Sequence, residues 1–524
     1  MVVPIDKGLL PEINCGTMFS VNTKIITPYF RYRYERTAKA LERAAEEQRA
    51  LLKRLLELAS DTEWGHKYGY GDMGGYEDFA QRVPLSSYED LKGYIDRMRH
   101  GENDVLWPGR VKFYAKSSGT TNDKSKYLPV SREGLEDTHY NGGRDSVAYF
   151  LHHHPESHIF GGRALILGGS HEQNYDVKES LVGDLSAILI ENINSLANLV
   201  RTPSKRVALI PNFEEKRELI ARRAMKQNVT NISGVPSWML SVLSLILEIS
   251  GKKTISDVWP NLEVFFHGGV AFTPYRKTYK ELIPSERMNY METYNASEGF
   301  FGLQTDPTTT AMQLMTNYGV FYEFVPLEQL GRPDAEVVPL WDVETGRNYA
   351  MVISTSSGLW RYLIGDTVKF DSVNPYFFHI SGRTKSFINA FGEELMVDNA
   401  EQGLAEACAE TGAVVAEYTA APIFMDAEGK CRHQWVVEFR KVPEDTERFA
   451  EILDLALQRI NSDYEAKRSN DITLQRLELI KAPQGLFDEW LKRKGKLGGQ
   501  HKVPRLCNDR KIMDEVLAIM AENE

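Results

Sequence analysis

Apolar positions along the chain follow two rhythms. From Arg31 to Leu58 they recur every three or four residues among Glu, Arg and Lys, which predicts one long amphipathic helix covering a core. From about Val111 onward, short apolar runs alternate with helical stretches. Residues 111–114, 126–130, 163–168, 207–211, 262–267 and 350–354 read as strands, and 214–226 and 237–249 as helices. That alternation predicts an α/β fold: a large N-terminal domain of layers around a mixed sheet. The composition shifts near Ser381-Gly-Arg383. Beyond it, 397–411 and 447–466 read as helices and 414–420 and 434–440 as strands, a smaller C-terminal α+β domain. We therefore expect two domains, 1–382 and 383–524, with a loop at the basic, glycine-bearing stretch 492–499.

At 524 residues the chain is too long for one ordinary core, which agrees with that division. A hydrophobic content of 42% with 26% charged residues is that of a soluble globular protein. The net charge of −11 speaks against nucleic-acid or anionic-membrane partners, which select basic surfaces, yet leaves room for a local cationic pocket. The longest apolar run, 238–249, is well short of the roughly 20 residues of a membrane-spanning helix. The N-terminus carries no basic region followed by an apolar core, so no signal peptide is expected. Cys15, Cys408, Cys431 and Cys507 are widely spaced with no CxxC, which points to reduced thiols, no zinc site and a cytoplasmic location.

The densest polar chemistry lies at 114–131. There Ser117, Ser118, Gly119, Thr120 and Thr121 are followed by Lys124 and Lys126 between two short strands. A hydroxyl-rich turn of this kind offers backbone N–H groups, hydroxyls and ammonium groups together, which suits a polyphosphate. It is not a Walker A loop, because no Gly-Lys-Ser/Thr follows at the required distance. A plain polar turn has the same composition. Gly268 and Gly269 follow an apolar strand and permit close backbone approach to a flat base; a simple tight turn uses the same pair. The histidines at 152–158 have no acidic or cysteine partner at ligand spacing, so no metal is assigned to them.

Two further segments change the picture. One is Tyr-Met-Glu-Thr-Tyr-Asn-Ala-Ser-Glu-Gly at 290–299. The other is Leu-Trp-Arg-Tyr-Leu-Ile-Gly-Asp-Thr-Val at 359–368, followed by Ser-Gly-Arg-Thr-Lys-Ser-Phe-Ile-Asn-Ala-Phe-Gly-Glu-Glu at 381–394. In this order and spacing the segments resemble the adenylate-forming superfamily of acyl-CoA synthetases, luciferases and adenylation domains. Within it, nearly the whole chain resembles the Gretchen Hagen family of acyl-acid amido synthetases, first known from auxin-responsive plant enzymes.

The resemblance implies roles for particular residues. Ser117 to Thr121 and Lys126 would hold the ATP phosphates, with Thr-Asn-Asp at 121–123 departing from the plant triplet. Glu298 would hold Mg²⁺ on those phosphates, and Ser297 would bond phosphate or AMP. Tyr294 would offer a face to adenine or shape its pocket; the same string is also compatible with a structural helix start. Asp366 would clamp the ribose, and Arg361 would serve as a structural ion-pair partner. Arg383 would mark the hinge of the C-terminal lid, and Lys502, in Gln-His-Lys-Val-Pro at 500–504, would reach the phosphates when the lid closes. Val235 and Trp238 would line the acyl pocket.

The implied reaction joins a carboxylic acid to the amine of an amino acid through an acyl-adenylate, using ATP and Mg²⁺. Such chemistry asks the protein to position two anions and neutralise developing charge, and needs no nucleophilic triad. The small-molecule acid and the amino acid are the expected partners of a monomer that binds neither nucleic acid nor membrane. A thioester-forming synthetase using coenzyme A, and a non-catalytic nucleotide-binding regulator, are the competing expectations.

Overall fold

The computed structural model describes residues 23–523 apart from 121–122, 170, 173–176, 178–179, 271, 273–274, 385–386, 394, 425–430, 469–473 and 495–502. Its centre is a twelve-stranded mixed sheet, as the alternating pattern predicts. Five strands run parallel in the spatial order Arg201–Thr202, Arg163–Ile166, Val229–Gly234, Val264–Gly268, Asn289–Ala296. At Ser297–Glu298 the chain turns back into Gly299–Leu303, and every pairing from there on is antiparallel, through Met312–Leu314, Tyr376–Arg383 and Tyr362–Val373 to the far edge. Val229–Gly234 and Val264–Gly268, in the middle of this parallel set, each open on four consecutive buried residues, as strands covered on both faces must.

A second sheet of four strands carries the hydroxyl-rich segment. The two strands expected to flank it are longer than its composition suggests. Phe113–Thr120 and Asp123–Val130 form one long antiparallel hairpin, so Ser117 to Thr120 are strand residues. Cross-strand hydrogen bonding satisfies the backbone of this polar stretch, and local turn composition does not report such pairing.

Three other expectations are corrected. The helix predicted over 31–58 is two helices, Thr23–Leu41 and Ala44–Ala59, broken at Glu42–Arg43. The break lets Phe30 and Leu41 join one apolar cluster while Leu52, Leu55 and Leu56 join another. Residues 207–211, expected as a strand, begin in a short helix, Lys205–Ala208. The carbonyl of Ser204 accepts from the N–H groups of Val207 and Ala208, and the adjoining edge of the sheet is already taken by Arg201–Thr202. The C-terminal helix over 447–466 is also two, Thr446–Ile460 and Ser462–Arg468. Asn461 stands between them, its side-chain oxygen accepting from the N–H groups of Asp463 and Tyr464 at 3.0 and 2.8 Å.

The last strand of the large sheet ends at Arg383. Beyond it a three-stranded sheet, Val414–Ile423, Arg432–Lys441 and Glu478–Ala482, packs under Val397–Thr411 and Thr446–Ile460. The two parts touch: Tyr275 donates to the carbonyl of Ala390 at 2.8 Å, and their apolar cores run together through Ile388 and Phe391. Among the described residues no helix is long and apolar enough to cross a membrane.

Candidate nucleotide and acyl site

A cavity of about 1550 Å³ opens outside the carboxyl ends of the parallel strands, where the sheet changes from parallel to antiparallel. Open α/β sheets bind ligands in this position. Its size exceeds the roughly 300–1,000 Å³ of common small-molecule pockets, which suits two substrates held side by side.

Ser117 and Lys126 occupy directly opposed positions of the hairpin, and both line the cavity. The pairing register thus puts a hydroxyl and an ammonium on one face. Ser118, Gly119 and Thr120 continue the same strand; their side chains, and the whole of Thr121, lie outside the described residues. Across the cavity, the turn between Asn289–Ala296 and Gly299–Leu303 presents Ser297 and Glu298. No group of three His, Cys, Asp or Glu among the described residues is arranged to hold a metal. A single carboxylate in one cavity with a hydroxyl and an ammonium would nevertheless suit Mg²⁺, which takes one or two protein carboxylates and completes its shell with phosphate and water.

Asp366 stands opposite Arg383 in the antiparallel register of Tyr362–Val373 and Tyr376–Arg383. Arg383 Nε donates to its Oδ1 at 2.7 Å, and the Tyr294 hydroxyl donates to its Oδ2. Tyr294 is buried, its ring packed edge-on against Phe301. Burial and the adjacent Asp366 charge drive its phenol well above the ordinary range, so it acts as a neutral donor. A carboxylate held from two sides keeps lone pairs for further donors, as binding a vicinal diol requires.

Gly268 and Gly269 close the strand Val264–Gly268. A Cβ at Gly268 would stand 2.3 Å from the Thr293 carbonyl oxygen, and Gly269 has φ of +85°, so both positions require glycine. Both glycines lie on the cavity wall. Val235 and Trp238 line the same cavity at the start of the helix Pro236–Ser250, whose proline stands at the first helical turn. Arg361 faces away from the cavity and pairs with buried Glu323, with Nη2 to Oε1 at 2.8 Å. Lys502 lies outside the described residues.

Several residues on the cavity wall or just behind it escaped the sequence reading. His139 is buried and shares a 2.9 Å hydrogen bond with Asn295, inside the 290–299 motif. Desolvation lowers its pKa to about 4, so it is neutral at physiological pH. Lys216 is buried and donates to the carbonyls of Gly168 and Gly169 at 3.0 and 3.2 Å. Burial lowers its pKa to about 8, with nearby Lys467 adding to the effect. Lys467 itself reaches the cavity from Ser462–Arg468 and lies 3.8 Å over the Trp238 ring. Nothing in local composition marks these residues, since a lone His or Lys on a helix is ordinary.

The fold is that of the adenylate-forming ligases. A 2-hydroxyisobutyryl-CoA ligase in its thioesterification state matches with a TM-score of 0.55 at 13% identity, over 93% of this chain and 94% of the ligase. The acyl acid amido synthetase GH3.15 matches with a TM-score of 0.57 at 18% identity, over 92% and 94% of the two chains.

Within that class the chain belongs to the GH3 family. Residues 33–288 match the GH3 family N-terminal domain, 313–383 the central domain and 398–511 the C-terminal domain. The indole-3-acetic acid-amido synthetase GH3.3 of Arabidopsis thaliana is 23% identical, over 89% of this chain and 90% of that enzyme. The jasmonoyl–L-amino acid synthetase GH3.5 of Oryza sativa subsp. japonica is 26% identical, over 92% and 95%.

Proposed function

We propose that this chain is an AMP-forming acyl-acid amido synthetase. A carboxylate oxygen of the acid attacks the α-phosphorus of ATP, giving an acyl-adenylate and releasing pyrophosphate. The neutral amine of an amino acid then attacks the acyl carbon, the amide bond forms, AMP leaves, and the amine gives up a proton. The observation that carries this reading is the Asp366 carboxylate, oriented by Arg383 and Tyr294, in one cavity with the Ser117–Lys126 pair, Glu298 and Trp238.

In this reading Asp366 takes the ribose hydroxyls, and Gly268 and Gly269 allow the base to lie against backbone. Ser117, Ser118, Gly119, Thr120, Thr121, Lys126 and Ser297 serve the phosphates. Glu298 holds Mg²⁺, which supplies charge neutralisation on the phosphate oxygens. The apolar wall from Val235 to Trp238 receives the acyl group. Residues 383–524 act as a lid hinged at Arg383, and Lys502 enters to neutralise the departing pyrophosphate.

The test is acid- and ATP-dependent pyrophosphate release across a panel of carboxylic acids, repeated with each amino acid and read by mass for the amide. Absence of both pyrophosphate and amide with every pair would overturn the reading, and a thioester formed with coenzyme A in place of an amide would redirect it. Lys502→Ala is expected to slow adenylation far more than amide formation from supplied acyl-adenylate, because pyrophosphate has left before the second step. Equal losses in the two steps would remove Lys502 from this role.

A further inference from the structure

Lys467 is the cation whose position is hardest to explain by folding alone. Its side chain is 8% exposed, and burial lowers its affinity for a proton. Among the described residues no carboxylate stands within ion-pairing distance of Nζ and no acceptor bonds it; its contact is the face of Trp238 at 3.8 Å. The acidic groups that face it, Asp463 on its own helix, Asp184 across the cavity and Glu393, act only from a distance. Of these, Glu393 is committed to buried His433 at 2.8 Å and to the N–H groups of Ala390 and Phe391. An unpaired buried ammonium is costly, and a cation–π contact of about 2 kcal/mol offsets only part of the several kcal/mol lost on dehydration.

The protein nevertheless holds it there rigidly. The neighbouring Arg468 makes a two-pronged ion pair with buried Asp454, with Nε to Oδ1 at 2.9 Å and Nη2 to Oδ2 at 2.8 Å, and Tyr464 donates to the same carboxylate at 2.7 Å. Gly392, at φ +91°, leaves room for the lysine stem: a Cβ there would stand 3.2 Å from Lys467 Cε. Asn389, three residues earlier on the same cavity wall, has a buried Oδ1 with no hydrogen-bond partner. A cation lacking an anion thus stands on the cavity wall, against Trp238.

We propose that Lys467 binds the α-carboxylate of the acceptor amino acid, making it a specificity-determining residue for acids over neutral amines. The proposal rests on the amide-forming reading above. Its chemistry follows from the acceptor, an amine that carries a carboxylate the reaction does not consume. A cation on the C-terminal part holds that carboxylate only while this part is docked over Trp238. Amino acid binding is therefore coupled to the arrangement that performs the second step, and the first step proceeds without it.

The test compares the best acceptor among the twenty protein amino acids with its own carboxamide, which has the same shape without the charge. The wild-type enzyme should prefer the acid. Lys467→Met should raise KM for the acid by about 10- to 100-fold, the range of a charge-assisted hydrogen bond, and leave KM for the carboxamide within about twofold. Acid-dependent ATP–pyrophosphate exchange should stay near wild type, Tm should not fall, and Lys467→Arg should restore part of the preference for the acid. Equal losses for acid and carboxamide, or a changed choice of acyl acid, would overturn the assignment. Should the wild type form no amide at all, the reaction assignment falls separately. Calorimetric titration of the same amino acid and carboxamide into wild type and Lys467→Met then still decides whether Lys467 holds a carboxylate.

Discussion

Two arginine–carboxylate pairs start from one short segment of this chain and have opposite fates. Arg361 pairs with Glu323, and both side chains are almost fully buried, at 5% and 1% exposure. Asp366, five residues on, pairs with Arg383, and both remain 14% exposed on the cavity wall. The first pair is closed upon itself. Arg361 Nε and Nη2 bond the two oxygens of Glu323 at 3.0 and 2.8 Å, its Nη1 bonds the carbonyls of Ala80 and Val83, and Tyr76 adds a donor to Glu323 at 3.1 Å. Arg361 even adopts φ of +43°, a backbone cost of about 1–3 kcal/mol tolerated only where surroundings over-determine it. The second pair stops short of closure, with lone pairs of Asp366 left toward the cavity. The same two side-chain types build closed structure where every donor and acceptor is used, and leave an open carboxylate on a cavity wall where some are not.

Breaking the closed pair should have the largest effect. Arg361→Ala leaves Glu323 buried without its partner, and denaturant unfolding should show a loss of about 3–5 kcal/mol. The KM for ATP of the folded fraction should not change; a selective loss of ATP affinity at full stability would erase the distinction between the pairs. Next comes Glu298→Gln, which keeps shape and removes charge. Pyrophosphate release should fall by about 10²-fold, equivalent to about 2.7 kcal/mol of transition-state stabilisation, with Tm unchanged. Near-normal release would sink the metal-holding role.

Asp366→Asn should be milder. It loses the charge that attracts the ribose hydroxyls, raising KM for ATP by about tenfold, the scale of one hydrogen bond to a charged group. The ranking of acyl acids should be unaltered, since Trp238 and Val235 lie on a different stretch of wall; a shifted ranking would move the clamp elsewhere.

The smallest expected effect is a slope. Burial lowers the pKa of His139 from 6.5 to about 4, so between those values the unfolded chain binds the proton and the folded one does not. Stability should therefore fall with decreasing pH from about 6.5 to about 4, by at most about 1.4 kcal/mol per pH unit from this residue. His139→Gln should flatten that slope in urea titrations at several pH values, and an unchanged slope would show that His139 is not held neutral.

Much of the site was legible because its chemistry is concentrated in short strings. Glu298 and Ser297 sit within one motif, Asp366 closes another, and the glycines at 268–269 follow an apolar strand. All of them reach one cavity wall. The hydroxyl-rich segment is the expected hairpin with longer strands than its composition suggests, and its Ser117 and Lys126 line the cavity. Its serines and glycine favour turns, but pairing of Phe113–Thr120 with Asp123–Val130 overrides that preference. The predicted helix over 447–466 ran through Asn461, where the chain forms two helices, and stopped one residue short of Lys467.

The sequence by itself determined the fold class, the order of the motifs and the family. Those properties depend on hydrophobic periodicity and on spacings within a few residues of one another, which the chain carries locally. Only the tertiary structure decided the partners of two neighbouring charged residues: Glu323 and the carbonyls of Ala80 and Val83 seal in Arg361, while Arg383 and Tyr294 orient Asp366 on the cavity wall. It alone brought Lys467 from the C-terminal part over Trp238, more than two hundred residues earlier in the chain. Burial and pairing are properties of what surrounds a side chain, and for a charged residue the surroundings set both its cost and its use.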